Sequence, residues 1–306
     1  MFQRTFVVGT RGSRLALRQT EIVLESLRSA HHEMPFEVRT VRTAGDRSRA
    51  SLGRIGGRGV FIIELERALL GGEIDIAVHS LKDLPSRETP GLAIAAVARR
   101  EDPRDAVVSR NGLTLADLPS GAVVGTGSPR RAAQLLALRP DLRIADIRGN
   151  VDTRIRKMQD GEYDAVVLAA AALARLGWLD QATELLSLDV MLPAVGQGAL
   201  AVQVRTDDAE TAEVVRAAEH PETRVAVAAE RAFERRLGGG CQDAIAALGE
   251  VQGSCLRLRG LVADRGGDHL LRDEIEGPSG EAEAFGIRLA EQLIQQGAVQ
   301  LLEAAS

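Results

Sequence analysis

The feature that most constrains this chain is the exchange of two hydrophobic periods along its length. Short β-branched runs give way repeatedly to stretches whose apolar residues recur every three or four positions, the mark of strand and helix alternating in an α/β fold. Residues 6–9 read as a strand, and 13–30 as a helix with Leu15, Ile22, Val23 and Leu27 at near-helical spacing. Residues 36–43 read as a second strand, 61–70 as a helix, 74–78 as a short buried strand running into His79-Ser80-Leu81-Lys82-Asp83, and 92–98 as another strand. The polar bridge Arg100-Glu101-Asp102-Pro103-Arg104 then reads as a hinge.

A second unit repeats the exchange, with strands at 106–109, 123–125, 144–147 and 165–168 and helices at 128–138, 151–159 and 170–176. The strand at 199–204 has no neighbour in sequence, so it is expected to cross back into the first unit. Residues 207–219 read as helix, and a long helix opens at Pro221 and is stopped after Leu237 by Gly238-Gly239-Gly240. The remainder changes class. Residues 256–263 and 270–275 alternate around Arg265-Gly266-Gly267 as a hairpin would, and 279–296 form a closing amphipathic helix with Ser279 as N-cap. The expected organisation of the 306 residues is an α/β domain of 1–99 plus 199–217, an α/β domain of 104–193, and a smaller α+β domain of 221–306.

No apolar run approaches the ~20 residues a membrane helix needs. The start of the chain has no basic region followed by an apolar one, so a cytoplasmic protein is expected. Two cysteines and five histidines without Cys-x-x-Cys or His-x-x-x-His spacing argue against a structural metal.

Among the 38 basic residues only Lys82 and Lys157 are lysine. GC-rich coding would enrich arginine everywhere, whereas selective recognition of carboxylate or phosphate would place it at particular points, because the guanidinium fork matches those anions. The arginines gather where strands give way to helices, the edge at which open α/β sheets bind ligands. Arg11 and Ser13 follow the first strand. Ser128-Pro129-Arg130-Arg131 follows another, with Ser128 suited to N-cap and Pro129 to N1, so that two guanidinium groups stand in a first helical turn beside free backbone amides. An arginine there opposes the helix dipole, which argues for an anion site. Arg148 lies at a third junction with Arg154 one turn on, and Arg175 ends the helix after residue 168, where the last carbonyls would also suit it. Together they imply a polyanionic ligand. With aromatics at 3% and a net charge of −5, single-stranded and duplex nucleic acid are both poor candidates.

Asp83 stands beside Lys82, a placement that favours its ionised form. It serves equally as a turn cap or as a group that stabilises a developing cation and relays a proton. His79, after an apolar strand, reads as a hydrogen-bonded core residue. Three glycines precede Cys241 and leave its sulfur sterically open, which favours a reactive or modified thiol; Cys255, in a strand pattern, reads as a small buried hydrophobe. No Walker loop, Rossmann fingerprint or serine nucleophile elbow is present. A non-catalytic two-lobed binder of small anions would explain the arginines and the hinge, but not Cys241 or the Lys82-Asp83 pair.

In this combination the chain resembles the porphobilinogen deaminase (hydroxymethylbilane synthase) family. The matching segments run in family order: Thr10-Arg11-Gly12-Ser13-Arg14-Leu15-Ala16-Leu17, Gly56-Gly57-Arg58-Gly59-Val60-Phe61, Ala77-Val78-His79-Ser80-Leu81-Lys82-Asp83-Leu84-Pro85, Arg100-Glu101-Asp102-Pro103-Arg104-Asp105-Ala106, Gly125-Thr126-Gly127-Ser128-Pro129-Arg130-Arg131, Arg148-Gly149-Asn150-Val151, Leu192-Pro193-Ala194-Val195-Gly196-Gln197-Gly198-Ala199 and Gly239-Gly240-Cys241-Gln242. The resemblance implies two domains similar to periplasmic binding proteins with a central cleft, and a third carrying a dipyrromethane cofactor in thioether linkage to Cys241. It implies a monomeric transferase of tetrapyrrole and heme biosynthesis that condenses four porphobilinogen units head to tail, losing ammonia at each step, before water releases hydroxymethylbilane. Asp83 would be catalytic. Arg11, Ser13, Ser80, Lys82, Thr126, Ser128, Arg130, Arg131, Arg148, Arg154 and Arg175 would bind the acetate and propionate groups of cofactor and substrate, with no metal, nucleic acid or membrane involved. The chain departs from the family pattern at Asp243-Ala244, where an apolar residue and proline are common, at Gly127 and Pro129, and at Arg54 and Arg58, where lysine is frequent.

Overall fold

The computed structural model describes residues 4–41, 59–240 and 243–303. Arg42 and Thr43 of the second expected strand, the Gly56-Gly57-Arg58 motif with Arg54, and Cys241 with Gln242 lie outside the described residues. The chain divides into two compact units, one of residues 1–100 and 199–224, the other of 101–198 and 225–306.

In the first unit, β1 (Phe6–Thr10), β2 (Phe36–Thr40), β3 (Ile76–Ser80), β4 (Leu92–Val97) and β10 (Leu200–Arg205) form a sheet of order β2-β1-β3-β10-β4. β1 runs parallel to β2 and β3, while β10 is antiparallel to β3 and β4. The strand without a sequence neighbour is therefore an interior strand of this sheet, buried on both faces, with Gln203 the polar residue in an otherwise apolar run from Leu200 to Val204. Helix α1 (Arg14–Ala30) covers one face, packing Val23, Leu24 and Leu27 on Phe6, Val8 and Ile76. Helix α2 (Gly59–Leu70) covers the other, with Leu65 and Leu69 on Ile74, Ala77 and Leu92. The period-2 alternation of the strands is what supplies both helices with an apolar face.

The second unit holds two sheets. One contains β5 (Asp105–Ser109), β6 (Val123–Gly125), β7 (Arg143–Ala145), β8 (Ala165–Ala169) and β9 (Glu184–Leu185) in the order β7-β6-β8-β5-β9. β6 is parallel to β7 and β8, and β5 is antiparallel to β8. Its helices α3 (Pro129–Leu138), α4 (Val151–Gln159) and α5 (Ala170–Leu176) each follow a strand. The chain then returns to the first unit, where two short helical segments, α6 (Ala209–Val215) and a 3-10 turn over Arg216–Ala218, stand in place of the continuous helix expected at 207–219. Helix α7 (Pro221–Leu237) then leads into an antiparallel sheet of β11 (Ile245–Gln252), β12 (Cys255–Ala263) and β13 (Leu270–Pro278). Its core brings Phe233 of α7 together with Leu258, and with Phe285 and Leu289 of α8 (Ala282–Gln295).

Two local expectations are corrected, and one strand is added. Ser279 is not the N-cap of the closing helix: it opens a 3-10 turn (Ser279–Glu281) and its N–H donates to the Ser254 carbonyl, because the chain must first turn off the end of β13. Cys255 is exposed rather than buried, since it is the first residue of β12 and sits outside the apolar face set by Leu256 and Leu258. β11 lacks alternating polarity, Ile245, Ala246, Ala247 and Leu248 being buried consecutively, so period alone did not single it out.

The two sheets of the second unit meet at an apolar cluster of Ala133 on α3 with Leu192, Ala244, Ala246, Leu248 and Leu261. The β12–β13 turn presses close to α3: Gly267 has φ +74, and a Cβ there would lie 2.2 Å from the Ala133 carbonyl oxygen and 2.9 Å from the Ala137 nitrogen. Gly267→Val is expected to lower the unfolding midpoint in urea substantially, through both backbone strain and steric overlap. Gly253→Ala, at φ +61 but with open space around it, should cost only the ~1–2 kcal/mol of a left-handed non-glycine residue. Equal losses at the two positions would contradict the close packing on α3.

Candidate functional site

In the first unit the parallel pairing of β1 and β3 ends both strands at one sheet edge. Ser13 is the N-cap of α1, its hydroxyl accepting from the Ala16 N–H at 3.2 Å. Ser80 closes β3 and its hydroxyl accepts from Gln19 Nε2 of α1 at 2.8 Å. Leu81, Lys82 and Asp83 form a 3-10 turn anchored by a backbone bond from Leu81 to the Ala199 carbonyl just ahead of β10. Lys82 and Asp83 are half-buried in it, as are Arg11 and Ser13 beyond β1. The edge thus gathers Arg11, Ser13, Ser80, Lys82 and Asp83.

His79 lies beneath this edge and is buried, its Nε2 3.1 Å from Gln203 Oε1. Burial pushes the imidazole down to about 4, with Gln203 and Asp83 opposing and Arg11 assisting. The core reading of this residue matches its placement.

In the second unit the edge is organised by a residue the sequence reading missed. Asp105, at the head of β5, is buried without exposure, and its carboxylate accepts from Arg130 Nη1 at 2.6 Å, Arg131 Nη2 at 2.7 Å and Gln197 Nε2 at 2.8 Å. Arg131 also donates to the Val167 carbonyl and Arg130 to that of Leu192. The two guanidinium groups are 3% and 6% exposed as residues, so they are not open beside the free amides of α3. A carboxylate of the chain itself is the anion that relieves their position at a helix start. The flanking guanidinium groups hold the Asp105 carboxyl well below the usual carboxylate range against the opposing effect of burial. An acidic residue heading an otherwise apolar strand was the available signal.

The other residues of this edge are more exposed. Thr126 is buried and its hydroxyl accepts from the Ser128 N–H at 3.2 Å, while Ser128 occupies the N-cap of α3 without a side-chain cap bond. Arg148 pairs with Asp146 at 2.9 Å with both side chains largely in solvent, and Arg154 Nε donates to the Gly149 carbonyl at 2.9 Å. The Gly127 loop lies directly on them: a Cβ there would stand 2.8 Å from Asp146 Oδ1 and 3.8 Å from Arg148 Cζ. The Ile147 carbonyl would stand 3.2 Å away as well, so glycine eases that approach at one departure from the family pattern. Arg175 ends α5 and donates to the Gly198 carbonyl, and burial pushes its guanidinium down to about 10. Glu101 opposes that shift, and its own N–H shares the Gly198 carbonyl. The bridge at 100–104 is itself fastened, since Arg104 grips Asp102 with Nε at 3.0 Å and Nη2 at 2.6 Å. Asp243, at the other departure, accepts the Gly240 N–H at 2.9 Å and donates its own N–H to the Gly240 carbonyl at 3.0 Å, closing the chain on either side of the cysteine position.

Cations and hydroxyls predominate at both edges. That donor set fits a group bearing several carboxylates, and the glycine at 127, lying on Arg148, leaves the edge without a side chain there. Among the described residues no cluster of histidine, cysteine or acidic side chains could hold a metal, and no helix is long and apolar enough to cross a membrane.

In each unit an α/β sheet carries arginines and hydroxyls at its strand ends, which defines an α/β protein whose donor set suits carboxylates. Residues 6–213 match the family model described as porphobilinogen deaminase, dipyromethane cofactor binding domain, and 225–295 match porphobilinogen deaminase, C-terminal domain. The chain is 50% identical over 304 residues to the porphobilinogen deaminase of Pelotomaculum thermopropionicum, covering 99% of this chain and 97% of that one. It is 48% identical over 301 residues to that of Roseiflexus sp. (98% and 99% covered) and 48% over 302 residues to that of Geobacillus kaustophilus (98% and 97%). A solved structure of the methionine binding protein MetQ is similar at 14% identity with a TM-score of 0.44, covering 72% of this chain and 92% of that one. The chain belongs to the porphobilinogen deaminase family, transferases of tetrapyrrole biosynthesis that carry a dipyrromethane cofactor.

Two consequences can be measured. Asp105→Asn should destabilise the second unit by ~3–5 kcal/mol in urea unfolding, because two buried guanidinium groups lose their counter-charge; a loss below 1 kcal/mol would contradict the burial of the trio. For His79 the folded value, about 4, lies below the ordinary histidine value of 6.5, so the unfolded chain takes up the proton first. Stability should therefore fall by up to about 3 kcal/mol as pH drops from 6.5 towards 4, and His79→Phe should flatten that part of the profile.

Proposed function

We propose that this chain condenses porphobilinogen head to tail, four units per product, with loss of ammonia at each step, and releases the linear tetrapyrrole hydroxymethylbilane by hydrolysis. The observation that carries the reading is the single edge of the first unit that collects Arg11, Ser13, Ser80, Lys82 and Asp83, in a chain of this family. In sequence order the proposal divides the chain into 1–99 plus 199–217, 104–193 and 221–306. It takes the protein to act as a monomer in the cytoplasm.

The dipyrromethane, bound through Cys241, supplies the free pyrrole carbon at which the chain starts. Arg11, Lys82, Arg148, Arg154 and Arg175 bind acetate and propionate carboxylates of cofactor and substrate, and Ser13, Ser80, Thr126 and Ser128 add hydroxyl donors. Bidentate guanidinium contacts suit such a ligand because they fix orientation as well as charge. Arg130 and Arg131 support the edge through Asp105 and carry its positive field towards the ligand.

Asp83 does the chemistry. Its carboxylate accepts the pyrrole N–H of the incoming porphobilinogen, and a negative charge there stabilises the electron-poor methylene-pyrrolenine left when ammonia departs. The aminomethyl group, already an ammonium, leaves as ammonia with the C–N electron pair, and the same carboxylate then takes the proton released from the pyrrole carbon of the new linkage. The 3-10 turn, tied to Ala199, holds the carboxylate at the end of β3 with little freedom to drift, which is what positioning for proton transfer requires.

Intact mass of the purified protein, with a peptide map across Cys241, is the first test. A covalent increment of one dipyrromethane on Cys241 is expected, with further pyrrole units added by anaerobic porphobilinogen. Cys241→Ser should carry no increment and turn over no substrate. Asp83→Asn should lose at least 100-fold in turnover, of the order of general acid–base catalysis, while still holding pyrrole units. Full turnover in Asp83→Asn, or an unmodified wild-type chain that stays unmodified with porphobilinogen, would refute the reading.

A further inference from the structure

Beneath the Asp83 turn runs a buried polar chain that the proposed chemistry does not use. Glu66 of α2 is 8% exposed, and its Oε2 accepts the Thr89 hydroxyl at 2.9 Å. Its Oε1 accepts Gln203 Nε2 at 3.0 Å, and Gln203 Oε1 in turn lies 3.1 Å from His79 Nε2. The order of donors is forced. A carboxylate oxygen only accepts, so the amide must turn its NH₂ to Glu66 and its oxygen to the imidazole; an amide oxygen only accepts as well, so His79 Nε2 must donate. Nδ1 then carries the lone pair whenever the ring is neutral.

Burial, more than the charged groups facing the ring, favours neutrality. Arg11 follows β1, whose Gly9 pairs with Ala77 of β3, so Arg11 falls in register with His79 two residues further on. Asp83 acts on the ring from the 3-10 turn, and Glu66 stands behind Gln203 on α2. Burial and Arg11 depress the imidazole, Gln203 and Asp83 oppose them, and burial dominates. An imidazolium here would add a positive charge near Arg11 and would pair with Asp83, making that carboxylate a poorer proton acceptor.

We propose that Glu66 and Gln203 are positioning residues that hold His79 as the neutral Nε2–H tautomer, so that Asp83 works against an uncharged ring. The proposal rests on the role given to Asp83 above, but its primary readout does not depend on catalysis. Nitrogen-15 NMR of the full-length protein, with the His79 resonances assigned by their loss in His79→Asn, should show a neutral Nε2–H ring with no titration between pH 5 and 8. Gln203→Glu places a carboxylate against the ring and should raise the His79 midpoint by about two pH units or more. The kcat profile should then acquire an added ionisation, with KM for porphobilinogen changed much less. Gln203→Met, of similar size but without the acceptor, should populate the Nδ1–H tautomer, and it serves if the carboxylate variant does not fold.

A wild-type His79 that is Nδ1–H, or that titrates above pH 6, overturns the proposal with no variant needed. A raised midpoint in Gln203→Glu without a changed kcat profile overturns the positioning role. Failure of the function reading looks different: Asp83→Asn would keep its turnover while the His79 tautomer stayed locked.

Discussion

The second unit depends on one buried charge. Asp105 heads β5 with no solvent contact, and such a carboxylate is tolerated only if opposite charge and hydrogen bonds replace its water. Arg130, Arg131 and Gln197 supply both, the two arginines from one helical turn and the glutamine from a distant stretch of chain. The trio therefore joins the start of β5, the first turn of α3 and the segment before β10 at a single point. Because α3 also packs Ala133 on the third sheet and meets the β12–β13 turn at Gly267, the orientation set at Asp105 extends to the sheet that follows Cys241. One buried charge at a strand head thus bears on the placement of two sheets.

The first unit solves the same problem differently. Its edge is ordered by hydrogen bonds to backbone and hydroxyls, Gln19 on Ser80 and Leu81 on Ala199, and its cations Arg11 and Lys82 are half-buried where Arg130 and Arg131 are buried. That contrast separates arginines that build the protein from those proposed to meet ligand. Arg11 and Lys82 stand at an edge with hydroxyls, and Arg148 is largely in solvent, whereas Arg130 and Arg131 are spent mainly on Asp105. Arg175 falls between, half-buried and bonded to a backbone carbonyl. A polycarboxylate ligand can draw on both kinds, since fixed charges raise the potential that exposed ones deliver.

Below the first edge, the Glu66–Gln203–His79 chain is a second use of buried polarity. Three elements, α2, β10 and β3, are tied by two hydrogen bonds whose direction is dictated by the carboxylate at one end. A buried network of this kind is favourable only when every member is satisfied, and full satisfaction is also what makes a tautomer predictable from heavy atoms alone.

The strand and helix periods, the return of 199–204 to the first sheet, the Ser13 cap, the core character of His79 and the gathering of Asp83 with Lys82 were legible in the sequence, because each follows from local spacing or from side-chain type at a strand end. The motifs in family order carried the family membership for the same reason. Which arginines stay accessible was not legible. That depended on Asp105 lying across β5 from the start of α3, a contact between residues about 25 apart, and on Gln197 arriving from 92 residues away. Burial of β11 on consecutive residues, exposure of Cys255 and the pressure of Gly267 on α3 likewise arise only when sheets stack. Local chemistry determined what each segment could become; the pairing of distant charges and the packing of two sheets on one helix decided which side chains were left to act.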